Sequence, residues 1–106
     1  MILEFKKAFA SAPSGVPVVV IKKSQIYGTN NIPYPGFLTN RSNHIYSQYP
    51  IDPDTSFHLN PGDQLTALNF SYSVEGNRVV GVMMKRPDGL IFQVFSTDLK
   101  RYIKII

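Results

Sequence analysis

The stretch from Gln64 to Phe95 constrains this chain most. Gln64 to Val74 alternates, with Leu68, Phe70, Tyr72 and Val74 on one side, and ends at Glu75-Gly76-Asn77. Alternation of period two that runs into Gly and Asn is the pattern of a strand entering a hairpin turn. Arg78 to Arg86 reads as a second strand, apolar on both faces, closed by Pro87-Asp88-Gly89, whose proline and glycine suit a tight turn. Leu90 to Phe95 is the third. Three consecutive antiparallel strands leave little room for anything but a mainly β fold.

The flanks follow from weaker signals. Leu3 to Ala10, with Ile2, Phe5 and Phe9 at helical spacing, predicts a short N-terminal helix ending before Pro13. Pro17 to Lys23 is a β-branched run that reads as a strand, extending as far as Tyr27. Between Gly28 and Gly62, Pro33, Pro35, Pro50, Pro53 and Pro61 stand among many Asn, Ser and Tyr residues. This predicts a long irregular loop, broken by a short strand within His44 to Tyr49 and a turn at Asp52 to Thr55, and loops of that length in a small domain commonly carry function. Ser96-Thr97-Asp98 is placed to cap one helical turn before a last short strand at Ile103 to Ile106.

With 106 residues and 43% hydrophobic composition the chain fits one small globular domain, 1–106, with a single modest core. Without cysteine it has no disulfide, thiolate zinc site or thiol nucleophile. The longest apolar run, Val16 to Ile21, is too short to cross a bilayer, and the first residues carry Glu4, Lys6 and Lys7 where a secretory signal would be apolar. The expected setting is cytoplasmic, so the acceptor patterns Asn40-Arg41-Ser42 and Asn69-Phe70-Ser71 carry no weight.

The order strand, long loop, three-strand meander, helical turn and closing strand resembles the SH3-like small barrels. Leu59-Asn60-Pro61-Gly62-Asp63 is similar to the apolar-x-x-Gly-Asp entry into their second strand, and Gly89-Leu90-Ile91-Phe92 to the Gly-Leu-Phe step before their helical turn. The resemblance implies an SH3-like barrel or meander over residues 17–106. That family's peptide groove uses a tryptophan and a tyrosine; this chain has no tryptophan, and Leu99 stands where the tyrosine would be. The resemblance therefore bears on architecture, not activity. A fainter one, of Asp88 to Phe92 and Tyr102 to Ile105 to the last two strands of the barnase-type ribonucleases, tests an enzyme reading. Their histidine acid lies in the loop before the last strand, and here that loop reads Phe95-Ser96-Thr97-Asp98-Leu99.

Other chemistry is sparse. General acid–base work could draw only on His44, His58, Glu4 and Glu75 besides the aspartates, and Glu75 sits in a predicted turn. Asp52, Asp54, His58 and Asp63 match no metal-loop spacing and read as turn caps. Nucleotide and serine-hydrolase motifs are missing. No catalytic residue, metal or cofactor is expected.

Three functions remain. The first is a noncatalytic protein-binding module contacting its partner through Tyr34, Phe37, Tyr46 and Tyr49 of the long loop, a design that suits a virus-encoded modifier of a host factor or a small virion component. The second is a nucleic-acid-binding barrel. The chain carries a net charge of +4 concentrated toward both ends, and Lys85, Arg86, Lys100, Arg101 and Lys104 could meet phosphate while Phe92 and Tyr102 stack on bases. The third is a small ribonuclease built on His44, His58 and Glu75. If Pro17 to Lys23 is an unprotected edge strand, it could also pair with its copy in a homodimer.

Overall fold

The computed structural model describes residues 1–28, 45–47, 49–51, 58–73 and 75–106. Helix α1 spans Ile2–Ser11. Pro13 ends it by disfavouring helical geometry in the residue before it, and Ala12 has left the helix at φ −136° and ψ 72°. One face of α1 is apolar: Phe5 is fully buried, and Phe9 meets Phe70 edge to face with ring centres 5.0 Å apart.

Among the described residues eight strands follow: β1 Val16–Val20, β2 Ser24–Gln25, β3 Ile45–Ser47, β4 His58–Leu59, β5 Gln64–Tyr72, β6 Val79–Lys85, β7 Ile91–Phe95 and β8 Ile103–Ile105. Six of them form one antiparallel sheet in the order β3-β7-β6-β5-β1-β8, and β2 pairs with β4 in a second, two-stranded sheet. The expected mainly β fold with a short N-terminal helix is present, and β5, β6 and β7 are the expected meander. Among the described residues the six-stranded sheet does not close into a barrel, and β3 and β8 are its edges.

Three expectations are corrected. The strand predicted over Pro17 to Lys23 stops at Val20; after Ile21, whose N–H still reaches the Tyr102 carbonyl at 2.8 Å, the chain leaves for the second sheet as β2. Nor is β1 an edge, because β5 and β8 flank it and leave it no free side for a second copy. Ser96, Thr97 and Asp98 lie inside helix α2, Ser96–Tyr102, whose N-cap position is Phe95. The helix is longer than one turn because Leu99 and Tyr102, three residues apart, both bury on the core.

The meander also differs from its simple reading. Leu65 and Ala67 face the core, then a register shift between Ala67 and Asn69 changes the parity so that Phe70 faces it too. A bulge inserts one residue and turns the strand over. Two interleaved apolar series, 65/67 and 68/70/72, therefore share one strand, and Tyr72 ends 57% exposed. Between β6 and β7 the N–H of Gly89 bonds the Arg86 carbonyl and that of Arg86 the Leu90 carbonyl, each at 2.9 Å. Gly89 has φ +96°, the conformation a three-residue hairpin loop places at its last position.

The core is enclosed by the six-stranded sheet, both helices and the second sheet. Val16, Val18 and Val20, with Leu65, Ala67, Val82, Met84, Phe92, Val94 and Ile103, supply the large sheet's side; Phe5 comes from α1, Leu99 and Tyr102 from α2, and Leu59 from β4. No described helix is long and apolar enough to cross a membrane.

Candidate functional site

The expected aromatic surface does not assemble among the described residues. Tyr34 and Phe37 lie outside them, as do the predicted turn at 52–55 and His44. Tyr46, on β3, is only 5% exposed and packs between Tyr27 and Phe95, at 5.9 and 6.0 Å between ring centres. It is an interior residue, not a contact surface. Tyr49 is 55% exposed, and its N–H donates to Ser47 Oγ at 3.0 Å. Tyr46 and Tyr49 are three positions apart, an odd spacing that puts residues on opposite faces of a strand, and β3 in any case ends at Ser47.

The basic residues divide into two places. Lys85, at the end of β6, and Arg86 line a hollow of about 490 Å³ with Pro17, Thr66 and Pro87. Arg86 is hydrogen-bonded and ion-paired to Asp88. That bond, with a second from the Leu90 N–H, holds the Asp88 carboxyl below its usual range. Lys100 and Lys104 belong to a different groove, described below; Arg101, beside them on α2, stands 5.9 Å from the centre of the Tyr102 ring. Neither stacking residue is available to a base, since Phe92 is fully buried and Tyr102 is 5% exposed.

The two described members of the acid–base set, His58 and Glu75, are separated by the fold. His58 lies on β4 near the start of β5, sharing a hollow with Asp63, Arg86 and Asp88. Glu75 follows the far end of β5. Nine residues of extended chain put the two on the order of 25 Å apart, beyond any shared proton transfer. The described residues hold no group of three acidic or histidine side chains placed to bind a metal ion.

What the chain does build is a groove of about 570 Å³ between α1 and β8. Met1, Glu4 and Lys7 form its helix wall; Ile21, Ile103 and Ile105 its apolar side; Lys100 and Lys104 its rim. Phe5 and Phe9 anchor α1 on the core, so the adjoining face of the helix turns toward β8. Glu4 is met by the amino-terminal ammonium at 3.0 Å, which lowers its carboxyl pKa and leaves the lysines to set the charge of the groove.

Comparison with protein families, curated proteins and solved structures found no match to this chain. The groove therefore stands on its own geometry. Sequence reading gathered Lys100 and Lys104 but missed Lys7 and Ile21, because the two walls come from opposite ends of the chain. The one visible signal was the alternation Ile103-Lys104-Ile105.

Also unexplained by the strand pattern are the hydroxyls of Ser24 and Ser71, both buried with no hydrogen-bond partner. Ser71 faces Gly81 across the ladder.

Proposed function

We propose that the protein is a noncatalytic protein-binding module and that its partner occupies the groove between α1 and β8. The observation that carries this is an apolar groove rimmed by Lys7, Lys100 and Lys104 beside a sheet edge. Apolar surface supplies the driving force of association and a charged rim steers encounter and selects partners. An SH3-like architecture, supported by the order of first strand, long segment, meander, helix and closing strand, fits a scaffold of this kind. So does the role of a virus-encoded modifier of a host factor or a small virion component.

The test is affinity capture of the tagged protein from lysate of its own source, with and without nuclease, using wild type and Ile21→Asp. Ile21 is 47% exposed and lines the groove, so the substitution places a charge where the partner sits without opening the core. The expected result is a protein retained after nuclease by wild type and lost by the variant. Equal retention by both moves the surface elsewhere. Capture that vanishes with nuclease favours nucleic acid instead, bound through phosphate alone, since Phe92 and Tyr102 are inside.

A further inference from the structure

We infer that the groove takes an extended, acidic segment of a partner protein, added as a strand to the open edge of β8. This rests on the protein-binding reading above and specifies the chemistry of what binds.

The backbone comes first. β1 and β8 pair antiparallel with Val18 opposite Ile105, Val19 opposite Lys104 and Val20 opposite Ile103. The Ile21 N–H bonds the Tyr102 carbonyl and the Ile106 N–H the Pro17 carbonyl. Hydrogen-bonded pairs alternate along an antiparallel ladder, so residues 102, 104 and 106 turn their backbone groups toward β1. Ile103 and Ile105 turn theirs away. The Ile103 N–H is taken by the Leu99 carbonyl at the end of α2. This leaves the Ile103 carbonyl and both backbone groups of Ile105 aimed at the outer side, where no strand pairs with β8 among the described residues. The opposite edge is treated differently. On β3, Tyr27 forms a parallel bridge to Tyr46, donating to the Ile45 carbonyl at 3.0 Å and accepting from the Ser47 N–H at 2.7 Å. An open strand edge is a template for a further strand.

Side chains then specify the occupant. Along β8, Ile103 and Ile105 turn to the core side, under α1, and Lys104 to the opposite face. A strand laid beside β8 must alternate in the same way. Its core-side residues would lie against Ile105 and are matched by apolar side chains; those beside Lys104 are matched by carboxylates. Lys100 and Lys7 also line the groove and add positive charge to it, Lys7 from the α1 wall. A second copy of β8 matches the edge less well: an antiparallel self-pairing centred on Lys104 sets like charges opposite each other, and one centred on Ile105 sets Lys104 opposite Ile106, with no carboxylate side chain to meet it.

The probe is an end-blocked fluorescent peptide of about eight residues alternating glutamate and valine, a length that spans the edge with margin, compared with its lysine–valine counterpart by anisotropy. The acidic peptide is expected to bind, more weakly at high salt, and the basic one not to. Lys100→Glu with Lys104→Glu should weaken binding about tenfold or more, the summed effect of reversing two exposed charges. Ile105→Pro removes an outward N–H but no bond to β1, and proline is tolerated at such edge positions; it should abolish binding while lowering the thermal midpoint no more than Ile105→Ala, which loses the same packing on the core but keeps the N–H. Bound peptide should also slow hydrogen exchange at the Ile105 amide of the wild type.

Equal binding of the two peptides, or acidic-peptide binding unchanged by both sets of substitutions, overturns the inference. So does an Ile105 amide that exchanges no more slowly in the complex. Concentration-dependent dimers abolished by Ile105→Pro would assign the edge to a second copy. If the acidic peptide fails while a nuclease-resistant partner is still lost in Ile21→Asp, the strand-addition inference falls and the protein-binding reading stands; if both fail, both fall.

Discussion

Replacing Gly81 with alanine should destabilise the protein by about 2 kcal/mol, even though the same exchange at a compatible position usually helps. Gly81 is not one of the glycines with positive φ, so its backbone conformation is open to alanine. Reduced freedom of the unfolded chain would then favour the variant by about 0.4–1 kcal/mol. Space decides otherwise. Gly81 pairs with Ser71 on β5 and Phe95 on β7, and a Cβ there runs into the Val94 carbonyl oxygen while lying 3.0 Å from Phe95 Cα and 3.1 Å from Ser71 Oγ. Two of these three atoms are backbone, held by a strand that is paired on both sides, so they cannot swing away as a side-chain tip would. Overpacking of this kind costs about 1–3 kcal/mol, and immovable neighbours place it at the upper end. The net loss should lower the thermal midpoint by roughly 10 °C in a chain of this size. Urea unfolding followed by circular dichroism is the assay, and an unchanged slope would show that stability alone has moved. Gly89→Ala serves as the control: its Cβ meets nothing within 4 Å, so its loss, on the order of 1 kcal/mol, comes from the positive φ alone. A Gly81→Ala midpoint equal to or above wild type would refute the argument and show that β7 shifts freely against β6.

Three further outcomes follow from particular side chains. Tyr46→Ser should cost about 3 kcal/mol because it empties a packed site between two rings, while Tyr49→Ser should leave the stability within about 0.5 kcal/mol of wild type; thermal melts of the two variants decide it. Phe5→Ala should cost about 3–5 kcal/mol and loosen α1 from the sheet, seen as faster amide exchange throughout residues 2–11. For Asp88, the lowered folded pKa means its contribution is present above the unfolded value near 3.9 and is lost as pH falls through the folded one. Since the pair is largely exposed, Asp88→Asn should cost about 0.5 kcal/mol or less at neutral pH, with wild type and variant converging in urea unfolding at about pH 2.

Local patterns carried much of this fold. Apolar spacing from Ile2 to Phe9 with Pro13 behind it defines α1, and the turn residues Gly76-Asn77 and Pro87-Asp88-Gly89 divide the meander where the hairpins form. These are short-range effects: proline and glycine act on their own backbone dihedrals, and a helix needs only neighbours three and four residues away. The chain itself also set aside a thiol nucleophile, since it contains no cysteine. Which side of a strand faces inward was less legible. The bulge after Ala67 changes parity in mid-strand, and nothing in Leu68 or Asn69 announces it, because a bulge answers to the fit of β5 against β6.

The tertiary structure alone decided which residues of each chemical type are exposed and which come together. Tyr46 and Tyr49 have the same side chain three positions apart, yet one is sealed between rings and the other faces solvent. Lys85 and Lys104 read alike in sequence, but only Lys104 joins Lys7 and Ile21, because β8 returns to pair with β1 while α1 crosses the core beside it. The groove exists only when the two ends of the chain meet. Its composition is written locally, but its assembly depends on pairings across nearly the whole chain, and those are set by the packing of the shared core.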